Sequence, residues 1–423
     1  MPSHDARRRH RIEAADGAVS EARLAERVAR ESYGRLLALL TARTRDVAAA
    51  EDALADAFAA ALAAWPRAGA PDNPEAWLFA AAKRKLIDAA RRARTAAAGE
   101  AEIARGIEEL EAEAASRQAP DRRLGLMFAC AHPDIDPAAR TPLMLQTVLG
   151  LSAERIAAAF LVAPAAMSQR LVRAKQRIAE ARIPFDVPAP EQCAARFEGV
   201  LQAIYAAYAE GWADAEGADP SRLALAEEAI WLASVLAQQL PNEPEALGLL
   251  ALLLHLEARR PARRVDGRFV PLEEQDVSLW RTAMQGEAEL LLMKAAEANR
   301  IGRFQLEAAI QSAHTSRRAR GEADWDALVL LYSALAQIAR SPVVELNRAA
   351  ALARRDGPDA GLAALDAISA PALKSYQPYW ALRADLLARL GRKAEARTAY
   401  DEAIARERDG AVIRFLSERR AAL

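Results

Sequence analysis

Cysteine is nearly absent. Cys130 and Cys193 are the only two in 423 residues, too few and too far apart for a disulfide framework, and no Cys-x-x-Cys pair exists. Both are expected as reduced thiols in a cytoplasmic protein. Aromatic residues make up only 5% of the chain, and alternating runs of Val, Ile and Thr are missing, so almost no strand is expected. No apolar run reaches the ~20 residues that cross a bilayer. The opening "MPSHDARRRHRIEAADG" lacks the apolar core of a signal peptide. Neither a membrane partner nor secretion is expected. His-Glu-x-x-His, a glycine-rich phosphate loop and a Ser/His/Asp arrangement are also missing, so no cofactor is expected.

What the chain has is alanine and leucine. Hydrophobic residues account for 52%, and Ala and Leu lose least on entering a helix. The expected fold class is all-α. The net charge of -1 hides an asymmetry: residues 1–184 carry 28 basic and 24 acidic side chains, whereas residues 185–423 carry 29 and 34. Residues 1–20 read as a solvated, disordered tail, although Arg7 to Arg11 could touch nucleic acid. Three helices are expected over 21–98. The second, within "DVAAAEDALADAFAAALAAW", carries Asp46, Glu51, Asp52 and Asp56 and no base; "PRAGAPDNP" should end it. The third, "PEAWLFAAAKRKLIDAARRAR", opens with Pro74 and Glu75 at its positive pole and ends strongly basic. Residues 99–120 form an acidic connector with six Glu against Arg105 and Arg117. A second helical unit spans 121–184, a proline-rich hinge 185–195, and Ala/Leu-rich helix fills 196–423.

The charge in 121–184 is concentrated in "LSAERIAAAFLVAPAAMSQRLVRAKQRI", which reads as helix, tight turn, helix. Ser152 is a good N-cap, Ile156 and Phe160 share a face, Leu161–Ala163 turn the chain, and Pro164 starts the second helix. There Leu171, Ala174 and Ile178 should pack inward. Arg170, Arg173 and Arg177 fall one position earlier, an exposed basic stripe about 100° round the helix. That is helix-turn-helix geometry, in which the N-terminal turns of the second helix enter the major groove. Ser168 and Gln169 can reach base edges, and the flanking Arg170, Arg173, Lys175 and Arg177 would meet phosphates. Near the C-terminus, Leu346, Ala350 and Gly357 sit 34 residues before Trp380, Ala384 and Gly391, the period of a tetratricopeptide hairpin.

The basic helix "AWLFAAAKRKLIDAARR" resembles the DNA-facing helix of the promoter-melting domain of bacterial sigma factors, with Trp77-Leu78, Ile87-Asp88 and Arg91-Arg92 matching and Arg84 where that family has Asn. "AEDALADAF" resembles the family's polymerase-binding helix. The order of acidic helix, acidic connector and "QRLVRAK" is similar to the extracytoplasmic-function sigma factors. "YAAYAEGWADAEG", "EPEALGLLALLLHLEARRPAR", "LEEQDVSLW", "ADWDALVLLY" and "SPVVELNRAAAL" are similar to the subgroup with a C-terminal tetratricopeptide-like extension. The resemblance implies two small helical domains that bind DNA and RNA polymerase, followed by a regulatory helical repeat. It implies that Glu51, Asp52 and Asp56 face the bacterial RNA polymerase core. It also implies that Lys83, Arg84, Lys85, Arg91 and Arg92 hold the melted promoter strand, with Trp77 either stacking on a base or anchoring the core. The 99–120 connector would thread through polymerase or be a plain linker. The repeat would offer a concave surface to a protein or peptide partner.

Two rivals remain open. One is a helix-turn-helix regulator with a repeat sensor that never enters polymerase. The other is an enzyme using His255, Glu257, Asp276, His314 and Asp324. Cys130 with His132 suggests a metal, but the pair lacks the further ligands of a structural site.

Overall fold

Asp46 turns the chain into its first long helix by accepting the Ala49 backbone N–H at 3.0 Å, the usual work of an acidic N-cap. The structure, a computed structural model, describes residues 32–42, 44–93, 122–160, 162–187, 190–212, 220–369 and 371–423. The expected tail at 1–20 and the acidic connector at 99–120 lie outside the described residues. The chain is all-α, and the strands among the described residues are two of two residues each. It divides into two compact units, Met1–Ala207 and Tyr208–Leu423.

In the first unit α1 (residues 32–42) precedes α2 (Val47–Ala68) and α3 (Pro74–Ala93). Helix α2 buries Ala50, Ala53, Leu54, Ala57, Ala61 and Trp65, an apolar stripe at helical spacing. Its small side chains let Leu78, Phe79 and Ala82 of α3 pack closely into the same core. Trp77 is half-buried there, edge-on to Trp65 with ring centroids 5.6 Å apart, so it anchors the core. Helix α2 ends within "PRAGAPDNP" as expected, two residues past Pro66, at Ala68. The carbonyl deprived of a partner belongs to Leu62, on an exposed side of the helix, where water can replace the missing N–H.

Four helices follow: α4 (Arg123–Cys130), α5 (Pro137–Leu149), α6 (Ala153–Ala159) and α7 (Pro164–Glu180). Every residue of α4 is buried, so it forms the centre of this bundle. Asp136 caps α5 through the Ala138 N–H, and left-handed Gly150 (φ 65°) closes it, giving its N–H to Gln146 and Leu145 carbonyls. Pro142 sits inside α5 and supplies no N–H to Ala138 O; Arg170 of α7 reaches that oxygen with Nη1 at 3.4 Å. Helix α8 (Pro190–Trp212) comes next.

In the second unit, α9 (Pro220–Gln239) leads to α10 (Pro244–Arg259), which is buried almost all round. That follows from "LGLLALLLHL": a helix without a polar face needs neighbours on every side. Gly248 is where α12 (Arg303–Thr315) comes closest; a Cβ there would lie 2.7 Å from the Gln305 nitrogen. Between them lie β1 (Arg264–Val265), β2 (Arg268–Phe269) and α11 (Thr282–Ala296). The two strands turn through Asp266 and Gly267, both left-handed, the two-residue hairpin chemistry that Asp-Gly favours.

Helices α13 (Arg317–Arg320) and α14 (Trp325–Ala339) precede two antiparallel hairpins. These pair α15 (Pro342–Arg355) with α16 (Pro358–Asp366), and α17 (Gln377–Arg389) with α18 (Lys393–Arg406); α19 (Gly410–Ala421) closes the chain. The hairpins share a core of Leu346, Ala349, Leu362, Ala384, Leu387, Ala396 and Tyr400. Their turn glycines, Gly357 (φ 101°) and Gly391 (φ 75°), are both left-handed.

Candidate nucleic-acid interface

Burial of Leu78, Phe79 and Ala82 against α2 turns the opposite side of α3 to solvent, and Arg84 lies on it, while Lys85 is exposed at the edge nearer α2. Lys85 pairs with Asp56 of α2 at 3.2 Å, both side chains more than half exposed, a contact worth little in water. Lys83 is half-buried. Arg91 and Arg92 lie in the last turn of α3, and their side chains are outside the described residues. On α2, Asp52 and Asp56 are exposed, whereas Glu51 is half-buried.

The chain from Ser152 to Glu180 runs helix, turn, helix, and departs from its sequence pattern at Phe160. Ser152 caps α6, accepting the Arg155 N–H at 3.3 Å. Phe160 and Val162 donate to the carbonyls of Ile156 and Ala157, and Pro164 opens α7. Leu171, Ala174 and Ile178 are buried, with Met167 one turn earlier on the same face. Phe160 is 38% exposed and does not share the burial of Ile156, because the chain has left the helix by then.

The polar side of α7 is sorted into two groups. Ser168, Gln169 and Arg173 are exposed in its first half, the Ser168 hydroxyl donating to Pro164 O at 3.0 Å. Val172, 52% exposed, lies among them, and Gln176 continues the face one turn on. Neither was singled out from sequence, though 169, 172, 173 and 176 follow the same i, i+3, i+4, i+7 spacing. An apolar methyl beside an amide and a guanidinium is what a thymine-containing major groove accepts. The remaining cations turn to the protein. Arg170 serves the carbonyl left by Pro142. Arg177 pairs with Asp134 at 3.2 Å. Lys175, on another side of the helix from the stripe, pairs with Glu51 of α2, the side chains 11% and 17% exposed.

The other candidates have local duties. His132 Nδ1 accepts the Asp134 N–H at 3.1 Å, and burial and Arg196 push its pKa down. Cys130 lies 3.5 Å from the Thr147 hydroxyl, with burial pushing its thiol up to about 12. Among the described residues no group of three or more metal-ligating side chains converges. Glu257 accepts from Tyr208 at 3.2 Å and from Arg260 at 2.7 Å. Asp276 caps Ser278 and Asp324 caps Ala327. His314 packs edge-on to Trp325. Among the described residues no helix is long and apolar enough to cross a membrane.

Comparison with known proteins bears on both ends of the chain. Residues 28–96 match sigma-70 region 2, which covers α1 to α3 and so both the acidic and the basic helix. Residues 196–296 match a family of unknown function (DUF6596). An uncharacterized protein of Rhizobium meliloti (strain 1021) is 40% identical over 367 residues, covering 85% of this chain and 86% of that protein. No solved structure matches. The chain belongs to the same family as the Rhizobium protein, and its region 2 makes it a sigma-70 family protein with a role in transcription initiation.

Proposed function

We propose that this chain is a sigma factor of the extracytoplasmic-function kind, directing promoter-specific initiation in the cytoplasm, with a tetratricopeptide-like C-terminal domain that regulates it. In this reading Asp52, Asp56 and Glu51 bind the polymerase core. Lys83, Arg84, Lys85, Arg91 and Arg92 hold the melted strand by its phosphates. Ser168, Gln169 and Arg173 read the upstream element, flanked by Arg170, Lys175 and Arg177. The observation that carries it is the exposed Ser168, Gln169, Val172 and Arg173 face on α7, in a chain that also has a region 2. No covalent chemistry is required.

The 34-residue interval between Gly357 and Gly391, both left-handed between paired helices, supports the tetratricopeptide-like reading. Regulation by this domain predicts that a chain ending at Trp212 responds differently from the whole protein. The primary test is reconstitution with core RNA polymerase and runoff transcription from DNA upstream of the protein's own gene. A defined start dependent on the added chain is expected. Absence of any start across genomic templates would discard the proposal.

A further inference from the structure

Residues 264–275, the β1–β2 hairpin and the turn after it, form a strap in the second unit that lies on helices distant in sequence. Arg264 pairs with Asp409, the cap of α19, and Arg268 pairs with Glu418 of α19 at 3.0 Å. Phe269 packs edge-on to Phe415 of the same helix, ring centroids 5.6 Å apart. The Gly267 carbonyl accepts from Arg414 at 3.2 Å. Two adjacent carboxylates follow: Glu273 pairs with Arg354 of α15, and Glu274 with Arg419 of α19. Arg317 of α13 donates to the carbonyls of Leu272, at 2.9 Å, and Gln275. Side chains and carbonyls of one short stretch are thus gripped by arginines and an aromatic ring, as a bound peptide would be.

The grip is light. No residue from Arg263 to Glu274 is buried, whereas Ala262 and Gln275 at the two ends are. Arg268 and Glu418 are both more than half exposed, and such pairs contribute little in water. A segment with fixed ends, few apolar contacts and wet ion pairs opens at low cost. It also fills its bed incompletely. Beside Glu273 a cavity of 180 Å³ remains, walled by Trp325 and Tyr332 of α14 and Asp385 and Arg389 of α17. We propose that α15, α17 and α19 form a docking site for a partner protein's segment with an aromatic residue and, four and five positions later, two carboxylates, and that the strap occupies this site in cis until the partner displaces it. The proposal deepens the regulatory reading of the C-terminal domain and rests on it for what displacement does. Charge selects the partner: when the strap lifts, Arg354 and Arg419 lose their counter-charges, and an acidic segment restores them. A tethered occupant competes at an effective concentration on the order of mM. A partner that also fills the cavity therefore displaces it where a mere copy of the strap binds weakly.

The test uses the full chain and a fluorescein-labelled peptide, GRFVPLEEQD, the sequence of residues 267–276. Fluorescence anisotropy should show weak binding to the unsubstituted chain. Binding to a Glu273→Ala, Glu274→Ala chain should be roughly tenfold tighter if the strap closes the site about 90% of the time. Both glutamates are exposed, so this chain should fold; Phe269→Ala loosens the strap by a separate contact and should act in the same direction. A peptide with both glutamates replaced by lysine should bind neither chain. Adding Arg354→Ala and Arg419→Ala should abolish the gain. Excess unlabelled peptide should speed amide hydrogen exchange at 264–275 in the unsubstituted chain. Equal affinity for the two chains, or binding of the lysine peptide, overturns the proposal. So does a dimer of the unsubstituted chain that the peptide splits, which would give the site to a second copy. No polymerase or promoter is present, so the result stands apart from the sigma-factor reading. Peptide exchange that leaves runoff transcription unchanged would keep the docking site and refute the regulatory role.

Discussion

Glu245, in the first turn of α10, accepts the backbone N–H groups of Phe304 and Gln305 at 3.0 Å each, so one carboxylate caps the N-terminus of α12 from another helix. Gly302 makes room, since a Cβ there would meet the Glu245 carboxyl carbon at 2.2 Å. Orphan N–H groups and the positive helix pole are satisfied together. Glu245→Ala should cost about 1–3 kcal/mol, because two N–H groups lose their acceptor. Glu245→Gln, which keeps one acceptor oxygen, should cost less. Chemical denaturation of the full chain checks both; equal, negligible losses would remove the capping role.

Trp77 is a core residue, not a free stacking platform. Trp77→Phe should keep the fold and Trp77→Ala should lose about 2–4 kcal/mol from the first unit. Near-ultraviolet circular dichroism during unfolding reports it. A Trp77→Ala chain of full stability that no longer melts promoter DNA would reverse the assignment.

The two groups of cations on α7 should behave differently. Arg173→Ala and Gln169→Ala should weaken binding to the cognate promoter element by about 1–3 kcal/mol each and relax its specificity. Arg177→Ala, already paired with Asp134, should change affinity little and leave specificity alone. Fluorescence anisotropy with matched and scrambled duplexes at several salt concentrations separates the cases. Loss of specificity from Arg177→Ala would contradict the sorting.

Asp52→Lys with Asp56→Lys should abolish core polymerase binding and spare binding to duplex DNA. A helix-turn-helix regulator acting outside polymerase would be indifferent to the reversal. Pull-down of core alongside anisotropy distinguishes the two.

His255 and His314 are pushed down to about 4, chiefly by burial and then by Arg259. An unfolded histidine titrates near 6.5, so between those values the unfolded chain binds more protons. Their contribution is complete above pH ~6.5 and disappears as pH falls toward the folded values, about 3 kcal/mol each at most. Glu273 and Glu51, both raised by burial, act in the opposite sense, so the comparison must be internal. His314→Phe should flatten the loss of stability between pH 7 and 4.5 relative to the unsubstituted chain. Parallel profiles would dismiss the histidine.

Periodic features were legible before the structure. The inward set Leu171, Ala174 and Ile178, the Ser152 cap and the 34-residue spacing all follow from side chains recurring at fixed angles, which needs no tertiary knowledge. What failed was contextual. Phe160 was expected to share the face of Ile156, but the chain leaves α6 before it and Phe160 is exposed. Asp266-Gly267 carried a hairpin signal that the Ala/Leu background concealed. Lys175 shares its helix with the basic stripe, and nothing local tells that its partner is 124 residues away. Long-range pairing is decided by which backbones can approach, and Gly34 of α1, where a Cβ would lie 1.8 Å from Val148 O of α5, is silent in any reading of charge or hydropathy.

That silence has an evolutionary side. Alanine and glycine codons differ at a single nucleotide, and alanine is the better helix former. The approach of α1 to α5 depends on the absence of one methyl group at position 34, so related lineages can loosen it in a single mutational step. They need not alter any residue that touches promoter or polymerase.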